Sequence, residues 1–196
     1  MRIYLIRHGE TDWNLEGKLQ GREDIPLNEN GIRQAELCGQ AFLGLGIKTI
    51  ISSPLIRARR TAEIIAGCID TDNIIIDEGL IERDFGALAG VPYDKRKYFD
   101  TFGIEDGIEL WEDVCKRLIN CIKGQAEKFL NEDIIMVSHG AAINSVVSVL
   151  TDGEMGSGKT RLKNACISII IVADGVLNLG LYNLTADEFI KYKTKS

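Results

Sequence analysis

Two histidines occur in this chain, and they stand in matched settings. Each closes an apolar run and each precedes glycine: Ile3-Tyr4-Leu5-Ile6-Arg7-His8-Gly9 and Ile134-Ile135-Met136-Val137-Ser138-His139-Gly140. Short apolar runs of this kind read as buried strands. In one parallel sheet both imidazoles would reach the same edge, where α/β sheets bind ligands. The adjacent glycines let backbone approach a ligand closely. A single polar residue at a strand end is common; a matched pair favours a shared site.

Two arginines extend the pattern. Arg7 adjoins His8, and Arg57 falls in the first turn of the helix expected after Thr49-Ile50-Ile51-Ser52. A helix start is already positive, so a cation there makes sense where an anion joins it. Arg59 and Arg60 read as ordinary surface arginines. Leu80-Ile81-Glu82-Arg83-Asp84-Phe85-Gly86 comes after a further β run, so Glu82 is either a carboxylate of the same edge or a simple cap.

The elements that must position these groups alternate. Strands are expected at Arg2 to Arg7, Lys48 to Ser52, Asn73 to Asp77 and Asp133 to Ser138. Helices are expected at Asn28 to Leu45, from a Ser53-Pro54 cap to about Ala66, from about Glu105 to Leu130, and at Ala141 to Leu150. Ala165 to Ala173 and Val176 to Tyr182 flank Asp174-Gly175, a favoured two-residue hairpin turn. Residues 185–196 read as a polar tail, helical or frayed. The expected architecture is a three-layer α/β/α sandwich with a mostly parallel sheet, a C-terminal antiparallel hairpin and a short cap insertion.

Composition sets the outer bounds. With 196 residues, 45% hydrophobic and 27% charged, the chain is expected to form one globular domain, 1–196, with a cap at about 91–112. A net charge of −6 argues against general nucleic-acid binding while leaving an anionic small substrate open. No apolar run approaches the roughly 18 residues that span a bilayer, and the N-terminus lacks signal-peptide features. The five cysteines, Cys38, Cys68, Cys115, Cys121 and Cys166, contain no C-x-x-C pair and read as reduced, mostly buried residues of a cytoplasmic protein. No metal-ligand spacing is present, and no cofactor is expected. Monomer and homodimer both remain open.

Taken together, the motifs resemble the histidine phosphatase superfamily, in its phosphoglycerate-mutase-like branch. Arg7-His8-Gly9-Glu10-Thr11-Asp12-Trp13-Asn14 is similar to its signature. Further matches come in family order: Gly21 with Asp24-Ile25-Pro26-Leu27, then Gly31-Ile32-Arg33-Gln34-Ala35, then Ser52 to Ala62, then Leu80 to Gly86 with Gly90, and Val137-Ser138-His139-Gly140. The resemblance spans about residues 2–184. It implies a phosphohistidine mechanism on a small phosphorylated substrate, without metal. His8 would be the nucleophile, with Arg7, Arg57 and His139 around the phosphoryl oxygens. Glu82 would be the general acid, protonated for the first step, and Asn14, Gln20, Gly21 and Gly140 would contact phosphate or substrate.

A competing motif lies at Gly153-Glu154-Met155-Gly156-Ser157-Gly158-Lys159-Thr160, a literal match to the P-loop pattern, with Asp174 ending a later apolar run. A P-loop must follow a strand and open a helix. Here a helix is expected before it and a strand just after it, so residues 152–160 read as a flexible surface loop. Within the resembled family, mutases carry a longer insertion between the positions of Glu82 and His139, with paired arginines. The short interval here, with Lys95-Arg96-Lys97 as its basic cluster, points to a phosphomonoesterase over a phosphoglycerate mutase. A catalytically silent phospholigand binder would keep the same motifs without turnover. Tyr93, Tyr98, Phe99, Phe102 and Trp111 are candidate walls of the cap, or simply its packing.

Overall fold

The computed structural model describes residues 1–93, 107–130 and 132–195. In chain order the elements are β1 (Arg2–Arg7), α1 (Asp12–Leu15), α2 (Glu29–Ala41), β2 (Ile50–Ser52), α3 (Ile56–Ile69), β3 (Ile74–Ile76), α4 (Trp111–Lys128), β4 (Ile134–Ser138), α5 (Gly140–Leu150), β5 (Ile167–Ala173), β6 (Val176–Leu184) and α6 (Ala186–Lys193). Single turns of 3-10 helix at Glu78–Leu80 and Gly86–Leu88 lead into and out of the Glu82 segment.

The six strands form one sheet in the order β3-β2-β4-β1-β5-β6. The first four are parallel, and β5 and β6 run as an antiparallel hairpin at one side. Asp174 and Gly175 both take positive φ, 50° and 75°, the backbone that a tight hairpin turn between twisted strands requires.

Side chains alternate across the pleat, so β1 feeds two cores. Ile3 and Leu5 pack with Ile51, Met136 and Ile170 beneath α4 and α5. Tyr4 and Ile6 pack with Ile50, Ile135 and Val137 beneath α2 and α3. The C-terminal segment is not frayed: α6 opens on a Thr185–Glu188 capping box and buries Phe189 against Tyr4 and Phe42, with ring centroids 5.7 and 5.1 Å away. Among the described residues no helix is long and apolar enough to cross a membrane. All five cysteines are free thiols, and only Cys38 and Cys166 are fully buried.

Three expectations are corrected. Ser53-Pro54 does not cap α3. The helix opens at Ile56, whose N–H donates to Asp24 Oδ1 at 2.6 Å, so a carboxylate from the 21–27 loop supplies the cap. The helix expected from Glu105 begins only at Trp111, because Ile108 bridges back to Phe85 and Glu109 N–H donates to Asp84 O. Residues 152–160 do lie between α5 and β5 with no helix after them, but the segment is pinned rather than loose. Gly156 takes φ +112° where a Cβ would meet the Asn144 carbonyl oxygen at 2.7 Å. The Tyr182 hydroxyl sits 2.7 Å from Asn144 Oδ1 and 2.9 Å from Thr160 Oγ1.

Candidate active site

Strand register brings the two histidines together. In the parallel β1–β4 pair Arg7 stands opposite Ser138, so the next residues, His8 and His139, leave the sheet side by side. Their rings lie 5.2 Å apart, centroid to centroid, and both are buried. Behind them Gly9 presses on Gly31 so closely that a Cβ would lie 2.3 Å from the Gly31 carbonyl oxygen. This contact between the His8 turn and the start of α2 has no room for a side chain.

Hydrogen bonding assigns the His8 ring proton. His8 Nδ1 lies 2.6 Å from Gly9 O, and a carbonyl can only accept, so Nδ1 carries the proton and Nε2 keeps its lone pair. His139 Nε2 lies 2.7 Å from Ser53 Oγ. With that hydroxyl as donor the His139 proton sits on Nδ1; with it as acceptor the proton sits on Nε2. Burial pushes the pKa of both rings well below the usual histidine value, and the charges of Arg57 and Arg7 push the same way. Both are therefore neutral at pH 7.

The arginines are held from behind by carbonyls. Arg57, fully buried, donates from Nη1 to Glu23 O at 2.6 Å and from Nη2 to Gly21 O at 2.8 Å. Burial lowers its pKa to about 10, which leaves it cationic. Arg7 donates from Nη1 to Leu162 O at 2.6 Å. Three buried nitrogens around the histidines find no partner among the described residues: Arg7 Nε, Arg57 Nε and His139 Nδ1. Buried donors without acceptors are costly, and the two arginine Nε–H groups suit a group that carries several acceptor oxygens.

Glu82 sits at the start of α5. Its Oε1 accepts from Arg83 N and Ala142 N, both at 2.9 Å, and its Oε2 accepts from Ala141 N at 3.1 Å. Arg7, His8, Asn14, Gln20, Gly21, Arg57, Glu82 and Gly140 all line one cleft of about 1210 Å³ at the carboxyl edge of the sheet. Asn14 Oδ1 is taken by Thr11 and by Asn164 Nδ2, which leaves its NH₂ as a donor. Gln20 Oε1 is buried and finds no partner among the described residues. Of the expected cap residues, Tyr93 lines the cleft and Trp111 instead stacks under Arg83. Tyr98, Phe99, Phe102 and Lys95-Arg96-Lys97 lie outside the described residues. Among the described residues no group of three or more His, Cys, Asp or Glu is placed to hold a metal ion.

Several contributors carry no sequence signal for the role they play. Ser53 reads as a cap and serves His139. Thr61 accepts from Gly9 N–H at 3.0 Å and donates to Arg57 O, tying α3 to the His8 turn. Asn164 Nδ2 also donates to His8 O.

The sequence model of the histidine phosphatase superfamily (branch 1) matches residues 3–185. The chain belongs to this superfamily. An uncharacterised phosphatase of Bacillus subtilis, PhoE, is 36% identical over 94% of this chain and 95% of its own length. A probable phosphoglycerate mutase of Cronobacter sakazakii, GpmB, is 35% identical over 86% of this chain and 83% of its own. The crystal structure of an Entamoeba histolytica phosphoserine phosphatase in complex with 3-phosphoglyceric acid superposes with a TM-score of 0.80 at 34% identity, covering 94% of this chain and 97% of that one. This member of the superfamily is an enzyme, a phosphoric monoester hydrolase by class.

Proposed function

We propose that this histidine phosphatase hydrolyses a small phosphorylated metabolite in the cytoplasm through a phosphohistidine intermediate on His8, without a metal. The observation that carries the reading is the His8 tautomer. With Nδ1–H held by Gly9 O, the Nε2 lone pair is the free nucleophilic atom, beside the Nε–H donors of Arg7 and Arg57, which find no partner among the described residues.

In the first step Nε2 attacks phosphorus and the P–O ester bond breaks. Charge spreads over the three equatorial oxygens, where Arg7, Arg57 and the His139 Nδ1–H supply fixed donors. Asn14, Gln20, Gly21 and Gly140 line the surrounding binding surface, with residues 91–112 as the cap of a single 1–196 domain. The leaving alkoxide takes a proton from Glu82. Its Oε2, with one amide donor against two on Oε1, is the oxygen freer to carry that proton. In the second step the same carboxylate takes a proton from water, which attacks the phosphohistidine and releases phosphate and free His8.

The GpmB relatives support a second reading, transfer back to phosphoglycerate. One experiment addresses both. Rapid quenching with labelled p-nitrophenyl phosphate should trap acid-labile phosphate on the wild-type protein and none on His8→Ala, and EDTA should leave turnover intact. Label on His8→Ala, or a strict magnesium requirement, would overturn the mechanism. Label recovered in phosphoglycerate rather than in inorganic phosphate would establish the mutase.

A further inference from the structure

The 153–161 loop, whose sequence imitates a P-loop, forms part of the cleft wall: Ser157, Gly158, Lys159, Thr160 and Arg161 line it together with His8. Six cations line this cleft against two carboxylates among the described residues, in a chain whose net charge is −6. The transferred phosphate, a dianion, accounts for Arg7 and Arg57. Lys18 is paired with Glu16 at 2.5 Å. Glu82 is engaged by three backbone amides, and Arg83 lies over the Phe85 and Trp111 rings. That leaves Lys159 and Arg161. Neither has a carboxylate partner among the described residues. Arg161 makes no side-chain hydrogen bond there, and its charge opposes that of Arg7 across the cleft. Lys159 Nζ donates to Gly153 O, which leaves its other protons available.

The loop backbone is fixed, and both cations extend from it as exposed side chains. Gly156 is wedged on α5, Thr160 is bonded to Tyr182, and Asn183 Nδ2 donates to Arg161 O at 3.0 Å while its Oδ1 accepts from Lys163 N–H at 2.8 Å. Two uncompensated cations on a pinned loop, beside a site already equipped for one phosphate, are pre-organised for a second negative group.

We propose that Lys159 and Arg161 form a subsite for a second anionic group on the substrate, a carboxylate or a second phosphate carried by the leaving alcohol. This rests on the phosphatase reading and narrows its substrate class. Matched esters test it: 3-phosphoglycerate against glycerol 3-phosphate for a carboxylate, and fructose 1,6-bisphosphate against fructose 6-phosphate for a second phosphate. Wild-type enzyme should favour the member with the extra anionic group in at least one pair, read in KM. Lys159→Ala and Arg161→Ala should each erode that preference about tenfold, the size of one charge-assisted contact, and Lys159→Glu should erase it. An equal loss on both members of each pair would show that the cations serve the transferred phosphate alone, and the subsite would fall while the phosphatase stands. Calorimetric titration of the same esters into His8→Ala separates binding from turnover. A preference seen there, with no hydrolysis by wild-type enzyme, would keep the subsite and break the phosphatase reading.

Discussion

Arg117 grips Glu109 with two parallel hydrogen bonds, Nε to Oε1 at 3.0 Å and Nη2 to Oε2 at 2.9 Å. The same guanidinium donates from Nη1 to the carbonyls of Gly79 and Ile81, at 3.1 and 2.8 Å. Glu109 Oε2 also accepts from Asp84 N, and Glu109 O accepts from Arg83 Nε. The pair therefore fastens the segment before α4 to the backbone on both sides of Glu82. A bidentate arginine–carboxylate contact fixes orientation as well as distance, so Glu82 is aimed by groups that lie outside the cleft.

The first prediction concerns that pair. Burial alone would raise the Glu109 pKa, but the Arg117 guanidinium and the Asp84 amide outweigh it, and the net shift is downward from 4.5. A carboxylate depressed in the folded state stabilises it above the unfolded value, and the contribution disappears as pH falls through the folded value. Glu109→Gln should cost about 1–2 kcal/mol at pH 7, as for one charge-assisted contact of a partly buried group. The gap to wild type should close progressively below about pH 4.5. Urea unfolding at pH 7, 5 and 3.5 measures it, and a gap that stays constant with pH would show that the ion pair contributes nothing.

The site is legible in the sequence to the extent that each signal is local. His8, His139, Arg7 and Arg57 stand at strand ends and a helix start, next to glycine or close after proline, and short-range pattern locates such positions. Their approach to one another then needs only parallel register: Arg7, His8 and Arg57 line the cleft, and His139 is buried beside His8 without lining it. Ser53 is ambiguous, because serine before proline carries the same signal whether its hydroxyl caps a helix or reaches another strand. Only the β2–β4 register, Ser52 opposite Val137, brings it to His139. Arg117 joins the Glu109 stretch to Gly79 and Ile81 through their approach in space, which no spacing encodes. For the 153–161 loop, a helix before it and a strand after it are enough to exclude a P-loop. That order of elements is silent on the cleft, where the loop is held by Tyr182 and Asn144.

The second prediction concerns the histidines. Both have folded pKa values well below 6.5, by burial first and by Arg57 and Arg7 in addition. The unfolded chain therefore binds protons that the folded chain refuses, and stability falls as pH drops below 6.5. Each such histidine contributes a slope of up to about 1.4 kcal/mol per pH unit. His139→Gln should flatten the loss of stability between pH 6.5 and 5 by about that amount. Identical slopes for the variant and wild type would mean that His139 ionises as freely folded as unfolded.

The third prediction separates acid from nucleophile. Glu82→Gln retains an acceptor but loses the transferable proton, and its NH₂ turned toward Ala141 would set donor against donor at the start of α5. The effect should therefore be read as a difference between substrates rather than as a single rate. Alkyl phosphates have a poor alkoxide leaving group and need protonation, so their turnover should fall on the order of 10² to 10⁴. The p-nitrophenolate group departs readily unprotonated, so phosphorylation of His8 from p-nitrophenyl phosphate should slow far less. Dephosphorylation also uses the carboxylate, now to activate water, so acid-labile label should accumulate on His8 during aryl ester turnover. Rapid-quench labelling with both ester types reads the two steps separately. A general distortion of α5 would slow both esters by the same factor and leave no phosphohistidine. That result would take the acid role from Glu82 and pass it to Asp84, the next carboxylate on the same segment.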